Sequence, residues 1–236
     1  MKILIISQYF WPENFRINEL STALFKKGNE VTVLTGLPNY PEGKIYKSFI
    51  NYSKKFNKFG GVEIIRVPLF PRRKKKVFLF LNYLSFCISA STVGLLKLWN
   101  KKFDAIFVFQ TSPVLVGIPS SLISFLKRTP QVLWVLDLWP ESLEAFGFYK
   151  YNWQIFFVRK LVNFIYSQCS FILCQSKSFM SEIAKQNVNP KKLIFFPAWA
   201  DTEILKKSNF YAPEIKKKRG FFNIIYSGNV GEAQDF

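Results

Sequence analysis

Short apolar runs alternate along this chain with longer stretches in which apolar residues recur every three or four positions. The short runs fall at 2–7, 30–34, 62–67, 105–109, 131–136, 171–174 and 193–196, each dense in Ile, Val, Leu or Phe. Consecutive apolar positions of that length predict strands buried on both faces. The periodic stretches predict helices over 15–27, 75–100, 113–127, 153–168 and 178–186. In the first of these, Ile17, Leu20 and Leu24 share a face, and Gly28 stands where a helix stop belongs. Regular strand–helix alternation predicts an α/β fold, a doubly wound Rossmann-like parallel sheet with right-handed crossovers.

Two segments break the rhythm. Residues 77–96 are uncharged over twenty positions, long enough for a membrane span. Asn82, Ser85, Ser89 and Thr92 nevertheless form a thin polar stripe on one helical face. Strand-like runs also lie on both sides, and a span would separate strands that need one another. The segment therefore reads as a very apolar helix of the domain that can lie in a membrane interface, with a span as the alternative. Residues 198–220 are polar and charged and read as a linker. A further strand follows at 221–226, then S-G-N-V-G-E-A-Q-D-F. The expected organisation is thus a domain over 1–197, a linker over 198–220, and the first strand and turn of a second domain over 221–236, too short to be a domain itself.

Composition narrows the chemistry. The chain has 236 residues, 49% apolar and 18% aromatic, enough for a substantial core and unlike a disordered chain. It contains no histidine, which excludes a Ser-His-Asp system, a His base and any His-bearing metal site. Cys87, Cys169 and Cys174 are odd in number and lie in apolar runs, which matches neither a disulfide framework nor a zinc motif; a reducing cytoplasm is the simplest setting. The opening M-K-I-L-I-I-S is strand-like and not a signal peptide. The formal net charge is +18, and residues 42–76 hold eleven Lys or Arg against Glu42 and Glu63. A basic block beside an apolar helix suits an anionic membrane surface. Nucleic acid would require a reader element as well, and none is visible, so no specific nucleic-acid partner is expected. A plain solvated surface is the remaining reading.

Ligands of such sheets bind at the carboxyl ends of the strands. Those ends carry Q-Y-F-W-P-E (8–13), T-G-L-P-N-Y-P-E-G (35–43), Q-T-S-P-V (110–114) and D-L-W-P-E-S (137–142). No G-x-G-x-x-G follows the first strand, which argues against a standard dinucleotide site. Aromatic rings stack on sugar faces, and carboxylates and amides bind hydroxyl groups. Taken singly, W-P and Y-P can be rigid turn fillers, and Asp137 a turn or helix-capping residue; four such loops on one sheet edge point to carbohydrate.

With L-C-Q-S-K-S-F and S-G-N-V-G-E-A-Q added, these strings resemble, in order and over essentially the whole chain, bacterial family-4 glycosyltransferases, most closely the WbuB-type N-acetylfucosamine transferases of O-antigen and capsule clusters. The resemblance implies the amino-terminal half of a type-B glycosyltransferase, in which two Rossmann-like domains face across a cleft. It implies retention of anomeric configuration, no metal or other cofactor, and a nucleotide sugar, most simply a UDP-sugar, as co-substrate. The acceptor it implies is a lipid-linked (polyprenyl-diphosphate) saccharide at the cytoplasmic face of the plasma membrane, where the protein would sit peripherally. Gln8, Tyr9, Trp11, Glu13, Asn39, Tyr40, Ser112 and Trp139 would line the acceptor side. Asp137 and Glu141 would be the carboxylates nearest the reaction centre, with Asp137 orienting or deprotonating the acceptor hydroxyl. Gly228, Asn229 and Gly231 would approach the donor diphosphate through backbone N–H groups. The donor-side basic residue and paired glutamates of similar enzymes do not occur in this chain, so 1–236 alone is expected to be inactive unless a separately encoded donor domain completes it. The alternative function is a basic membrane-surface module without catalysis.

Overall fold

A computed structural model describes residues 1–73, 75–145 and 152–200, with 220, 222, 224, 226 and 228. The strands are β1 (Lys2–Ile6), β2 (Glu30–Gly36), β3 (Lys58–Phe59), β4 (Val62–Val67), β5 (Ala105–Gln110), β6 (Gln131–Val135), β7 (Phe171–Cys174) and β8 (Leu193–Phe195). The helices are α1 (Arg16–Lys26), α2 (Lys47–Asn51), α3 (Lys76–Ser89), α4 (Leu95–Lys97), α5 (Gly117–Lys127), α6 (Glu141–Ala145), α7 (Asn152–Gln168) and α8 (Lys177–Ala184). The sheet order is β3-β4-β2-β1-β5-β6-β7-β8, parallel throughout except for the β3–β4 hairpin at one edge. This is the doubly wound Rossmann-like arrangement that the strand–helix alternation predicts.

The apolar runs are continuous because alternate residues enter different cores. In β1, Leu4 and Ile6 face one core while Ile3 and Ile5 face the other. In β6, Leu133 and Val135 take the first side and Val132 and Trp134 the second. Each such side chain contributes about 1.5–3 kcal/mol on burial, so neither face tolerates polar substitution. The first core is roofed by α3, α5, α7 and α8 through Phe86, Ile123, Val162, Ile165 and Ile183. The second is covered by α1 through Ile17, with Leu20 and Leu24 beside it. Gly28, at φ +84°, stops α1 as expected, its N–H reaching Phe25 O at 2.9 Å.

Several boundaries differ from expectation for local reasons. The helix expected over 75–100 is continuous only to Ser89, passes through a π turn at Ala90–Gly94 and ends with α4. The one expected over 113–127 begins as a 3-10 turn at Val114–Val116. β3, α2 and α6 were not anticipated; at two to five residues each they are too short to carry a period. By length and composition, Val77–Lys97 is apolar enough to cross a membrane. Here it packs on the sheet, and β4 before it and β5 after it belong to that same sheet.

The segment expected to begin the linker is packed where it is described. The Trp199 ring stacks on Trp134 at 5.7 Å, and its indole N–H donates to Glu19 Oε2 at 2.6 Å. The rest of the linker, over 201–219, and the turn residues Asn229 and Gly231 lie outside the described residues.

Candidate active site

The strand order reverses between β1 and β5. From β1 the chain steps outward to β2 and β4, and from β5 outward in the other direction to β8. The loops that leave β1 and β5 therefore diverge and open a crevice at the carboxyl edge. All four predicted loops meet this edge, and each contains a cis X-Pro bond, at Trp11-Pro12, Tyr40-Pro41, Ser112-Pro113 and Trp139-Pro140.

A buried polar network forms one wall. Gln8 Nε2 donates to Asn82 Oδ1 at 2.7 Å, and the Tyr9 hydroxyl reaches the same oxygen at 3.3 Å. Asn82 Nδ2 donates to Phe70 O at 2.6 Å, which ties α3 to the loop before it. The Tyr9 ring stacks on Phe15 and tilts against Tyr40. Burial pushes the Tyr9 phenol well above its ordinary range, with the Arg72 guanidinium opposing that shift. Gln8 and Gln110 follow or end the two strands that flank the reversal, and the side-chain oxygen of each is buried without a hydrogen-bond partner.

Glu13 and Asn39 have a different role from the one expected. Glu13 Oε1 accepts the N–H groups of Asn39 (2.8 Å) and Tyr40 (2.7 Å), and Oε2 accepts that of Phe10 (3.2 Å). Asn39 is fully buried; its side chain bonds Leu37 O and accepts the Arg72 N–H at 2.9 Å. Both residues latch the loop after β2 to its neighbours, and their polar atoms serve the backbone instead of a ligand. Burial raises the Glu13 pKa, while the three backbone donors and Arg66 favour the carboxylate. Arg66 donates to Gly36 O and to Trp11 O, completing the latch, and burial lowers its pKa to about 10.

Trp11 also departs from expectation. Its ring packs against Phe56 and Phe59 at 4.9 and 5.0 Å, away from the tyrosines, because β3 and the 3-10 turn before it supply an aromatic bed. Glu141 opens α6 beside Tyr166, and its Oε2 is buried without a partner.

Tyr40, Ser112 and Asp137 do converge, and Tyr83 of α3 joins them. The Tyr83 phenol lies close enough to Arg72, Asp137, Ser112 and Tyr40 to interact electrostatically with each. Asp137 Oδ2 accepts the Trp139 indole N–H at 3.3 Å, and Asp137 O accepts Gln110 Nε2 at 2.9 Å. Burial raises the Asp137 pKa, and the neighbouring Ser112 hydroxyl and Trp139 indole favour its charged form. The carboxylate is thus a half-buried base beside hydroxyl groups. Tyr83, Asn82 and Arg72 lay outside the sequence-based site. The signal in the sequence is Asn82 in the polar stripe, which there serves only as an argument against a membrane span. An open groove of about 620 Å³, lined by Ser124, Phe125, Leu126, Arg128, Thr129 and Pro130, lies at the opposite edge, before β6, and holds none of these groups.

No family model matches the chain. Over 254 aligned residues it is 26% identical to the Escherichia coli (strain K12) protein that bears the name colanic acid biosynthesis glycosyl transferase WcaI. The sequence likeness is to a glycosyltransferase. The alignment covers 99% of this chain and 60% of WcaI, so the chain spans about three-fifths of that relative's length. Among solved structures, the glycotransferase of kitacinnamycin superposes with a TM-score of 0.51 at 12% identity, over 92% of this chain and 55% of that one. A UDP-GlcNAc 2-epimerase from Neisseria meningitidis bound to UDP-GlcNAc gives 0.50 at 12%, over 83% and 46%. At such identities these two show the fold alone.

Proposed function

We propose that this chain is the acceptor-side half of a glycosyltransferase. The reaction is transfer of a sugar, in the WbuB-type reading an N-acetylated 6-deoxyhexosamine, from a UDP-sugar to a polyprenyl-diphosphate-linked saccharide, with retention of configuration. The observation that carries the reading is the convergence of Asp137, Ser112, Tyr83 and Tyr40 at the reversal of strand order. The relative named for colanic acid biosynthesis supports a biosynthetic glycosyl transfer. In this proposal Asp137 orients and takes the proton of the acceptor hydroxyl, and its raised pKa makes it a better base than an exposed aspartate. The place of work is the inner face of the plasma membrane, which suits the charge of +18.

The test is sugar transfer from radiolabelled UDP-sugars into a solvent-extractable lipid product, using the complete protein with whatever chain carries its donor domain. Asp137→Asn should lower turnover by roughly 10²-fold or more. Unchanged turnover would remove Asp137 from the chemistry, and no transfer with any nucleotide sugar would leave the non-catalytic membrane-surface module as the better reading.

A further inference from the structure

The second core has an uneven roof. Among the described helices only α1 contributes to it, through Ile17, Leu20 and Leu24, and α1 joins β1 to β2. Trp134 lies two strands beyond β1, on β6, yet it is fully buried. Much of its cover comes from the segment that leaves β8. Phe196 meets the Trp134 ring edge-on at 5.1 Å, and Trp199 stacks on it at 5.7 Å, 15° from parallel. From 196 to 200 this segment has neither helix nor strand. Its far end is tied down by a single side chain, since the Trp199 indole N–H donates to Glu19 Oε2 at 2.6 Å. The other oxygen of Glu19 accepts Arg16 Nη1 at 2.7 Å, so the indole meets a carboxylate that is already oriented. One ring thus bridges the middle of the sheet and the exposed side of α1.

From Glu19 a connected set of bonds leads to the crevice. Asn18, its neighbour on α1, is buried; its Oδ1 accepts the Trp11 N–H at 3.0 Å, and its Nδ2 donates to Glu13 O at 2.7 Å. The Glu13 carboxylate in turn accepts the N–H groups of Asn39 and Tyr40 at 2.8 and 2.7 Å. Tyr40 lies near Tyr83 in the candidate site. The bonds at Asn18 and Glu13 are buried, and breaking one would leave a polar group without a partner. A shift of α1 therefore carries the loop after β1 with it, and through Glu13 the Tyr40 side of the crevice.

We propose that Trp199 is a strap that couples the path of the chain leaving this lobe to the Tyr40 wall of the crevice. Closed, the indole covers Trp134 and holds α1 by Glu19. Open, it leaves Glu19 to Arg16 alone, and α1 can shift together with the loop over 11–13. The strap rests on one side chain in an irregular segment, so it opens without unfolding the lobe. A pull on the chain beyond Ala200 is then felt at Tyr40, and a ligand that fixes Tyr40 favours the closed strap by the same coupling free energy. This device does not depend on the chemistry of the crevice and holds whether or not its ligand is a sugar.

The test is hydrogen exchange by nitrogen-15 NMR on the whole chain, followed at the indole N–H groups and at the amides of Asn39 and Tyr40. The Trp199 indole is identified by its loss in Trp199→Phe, which keeps a ring on Trp134. In the parent it should exchange at least about tenfold more slowly than the indoles of the exposed Trp99 and Trp153. Glu19→Ala should bring it close to theirs, and Glu19→Gln, which retains an oxygen, should fall between. Trp199→Phe and Glu19→Ala should each speed exchange of the Asn39 and Tyr40 amides by about threefold or more. Phe125→Ser, on the other side of the sheet, should leave them unchanged. Circular dichroism and melting establish that each variant is folded, and the comparison of the three indoles in the parent needs no variant. A Trp199 indole that exchanges as fast as those of Trp99 and Trp153, or that ignores Glu19→Ala, overturns the strap. Asn39 and Tyr40 amides that exchange alike in the parent and both strap variants, or that quicken equally in Phe125→Ser, overturn the coupling. Sugar transfer plays no part in these measurements, so a failure of the proposed function and a failure of the strap are told apart.

Discussion

At Asp137 a carboxylate is held half-buried between the Ser112 hydroxyl and the Trp139 indole, where desolvation favours its neutral form. Such a group aids proton transfer and costs stability whenever it is ionised. Asp137→Asn keeps an oxygen for the Trp139 N–H and removes the charge, so the variant should melt above the parent at neutral pH. The sign follows from linkage. The native pKa lies above the ordinary value of 3.8, so the unfolded chain ionises first as pH rises. The advantage of the variant opens through the interval between those two values, persists above it, and closes below about pH 4. Paired thermal melts at acid and neutral pH measure it, and a gap independent of pH would contradict the account. The carboxyl-edge loops were legible in the sequence because aromatic and polar residues beside proline are uncommon next to buried strands. Individual roles were less so. Glu13 and Asn39 carry the side chains of ligand contacts, yet both are turned inward by backbone donors that only the folded loops bring near. Tyr83 and Arg72 are remote in sequence from the loops they meet, and no local pattern announces such an encounter.

The element that most shapes the site is α3. Its inner side buries Phe86 against the sheet, with Ala90 of the π turn that follows; its amino-terminal half delivers Asn82 and Tyr83 to the crevice, and its outer side leaves Phe80 and Ile88 exposed, with Leu96 of α4 beyond them. Hydropathy alone registers the sum of these sides and reads a span. The polar stripe separates them, because Asn82 is fully buried while Thr92, ten residues on, is exposed. The stripe thus marks the crevice at one end and solvent at the other. If the helix is a sheet-packed element, the two apolar sides have different energetics. Phe86→Ala should cost about 3–5 kcal/mol in urea unfolding, as for other buried aromatics. Ile88→Ser with Leu96→Ser should change stability by less than about 1 kcal/mol, since neither side chain leaves a cavity. Similar losses from both variants would mean that something else covers the outer side.

Across the whole molecule, charge is distributed by face. α3 to α4, α5 and α7 pack on the same side of the sheet, and none of 76–97, 114–127 or 152–168 contains an Asp or Glu; α8, on that side as well, carries Glu182 paired with Lys185. Their outward side chains include Phe80, Ile88, Phe125, Trp153 and Phe157, with Lys97, Lys127, Arg159 and Lys160 among them. On the opposite side, α1 pairs Glu19 with Arg16 in the ordinary manner of a solvated helix. The part of this surface formed by α3 to α4, α5 and α7, apolar and without Asp or Glu, fits an anionic bilayer, where each basic residue near the lipid contributes about 1 kcal/mol and each inserted ring adds its own burial. The two contributions respond to different perturbations. In flotation with vesicles containing phosphatidylserine, raising salt from about 0.05 to 0.5 M shortens the Debye length several-fold and should release most of the protein. Phe125→Ser with Phe157→Ser should weaken binding at low salt while leaving the melting temperature within about 2 °C of the parent, because both rings are exposed. Substituting basic residues on the α1 side instead should leave flotation unchanged. Equal loss from either face would mean that net charge alone draws the protein to lipid, and that the surface of α3 to α4, α5 and α7 has no orienting role.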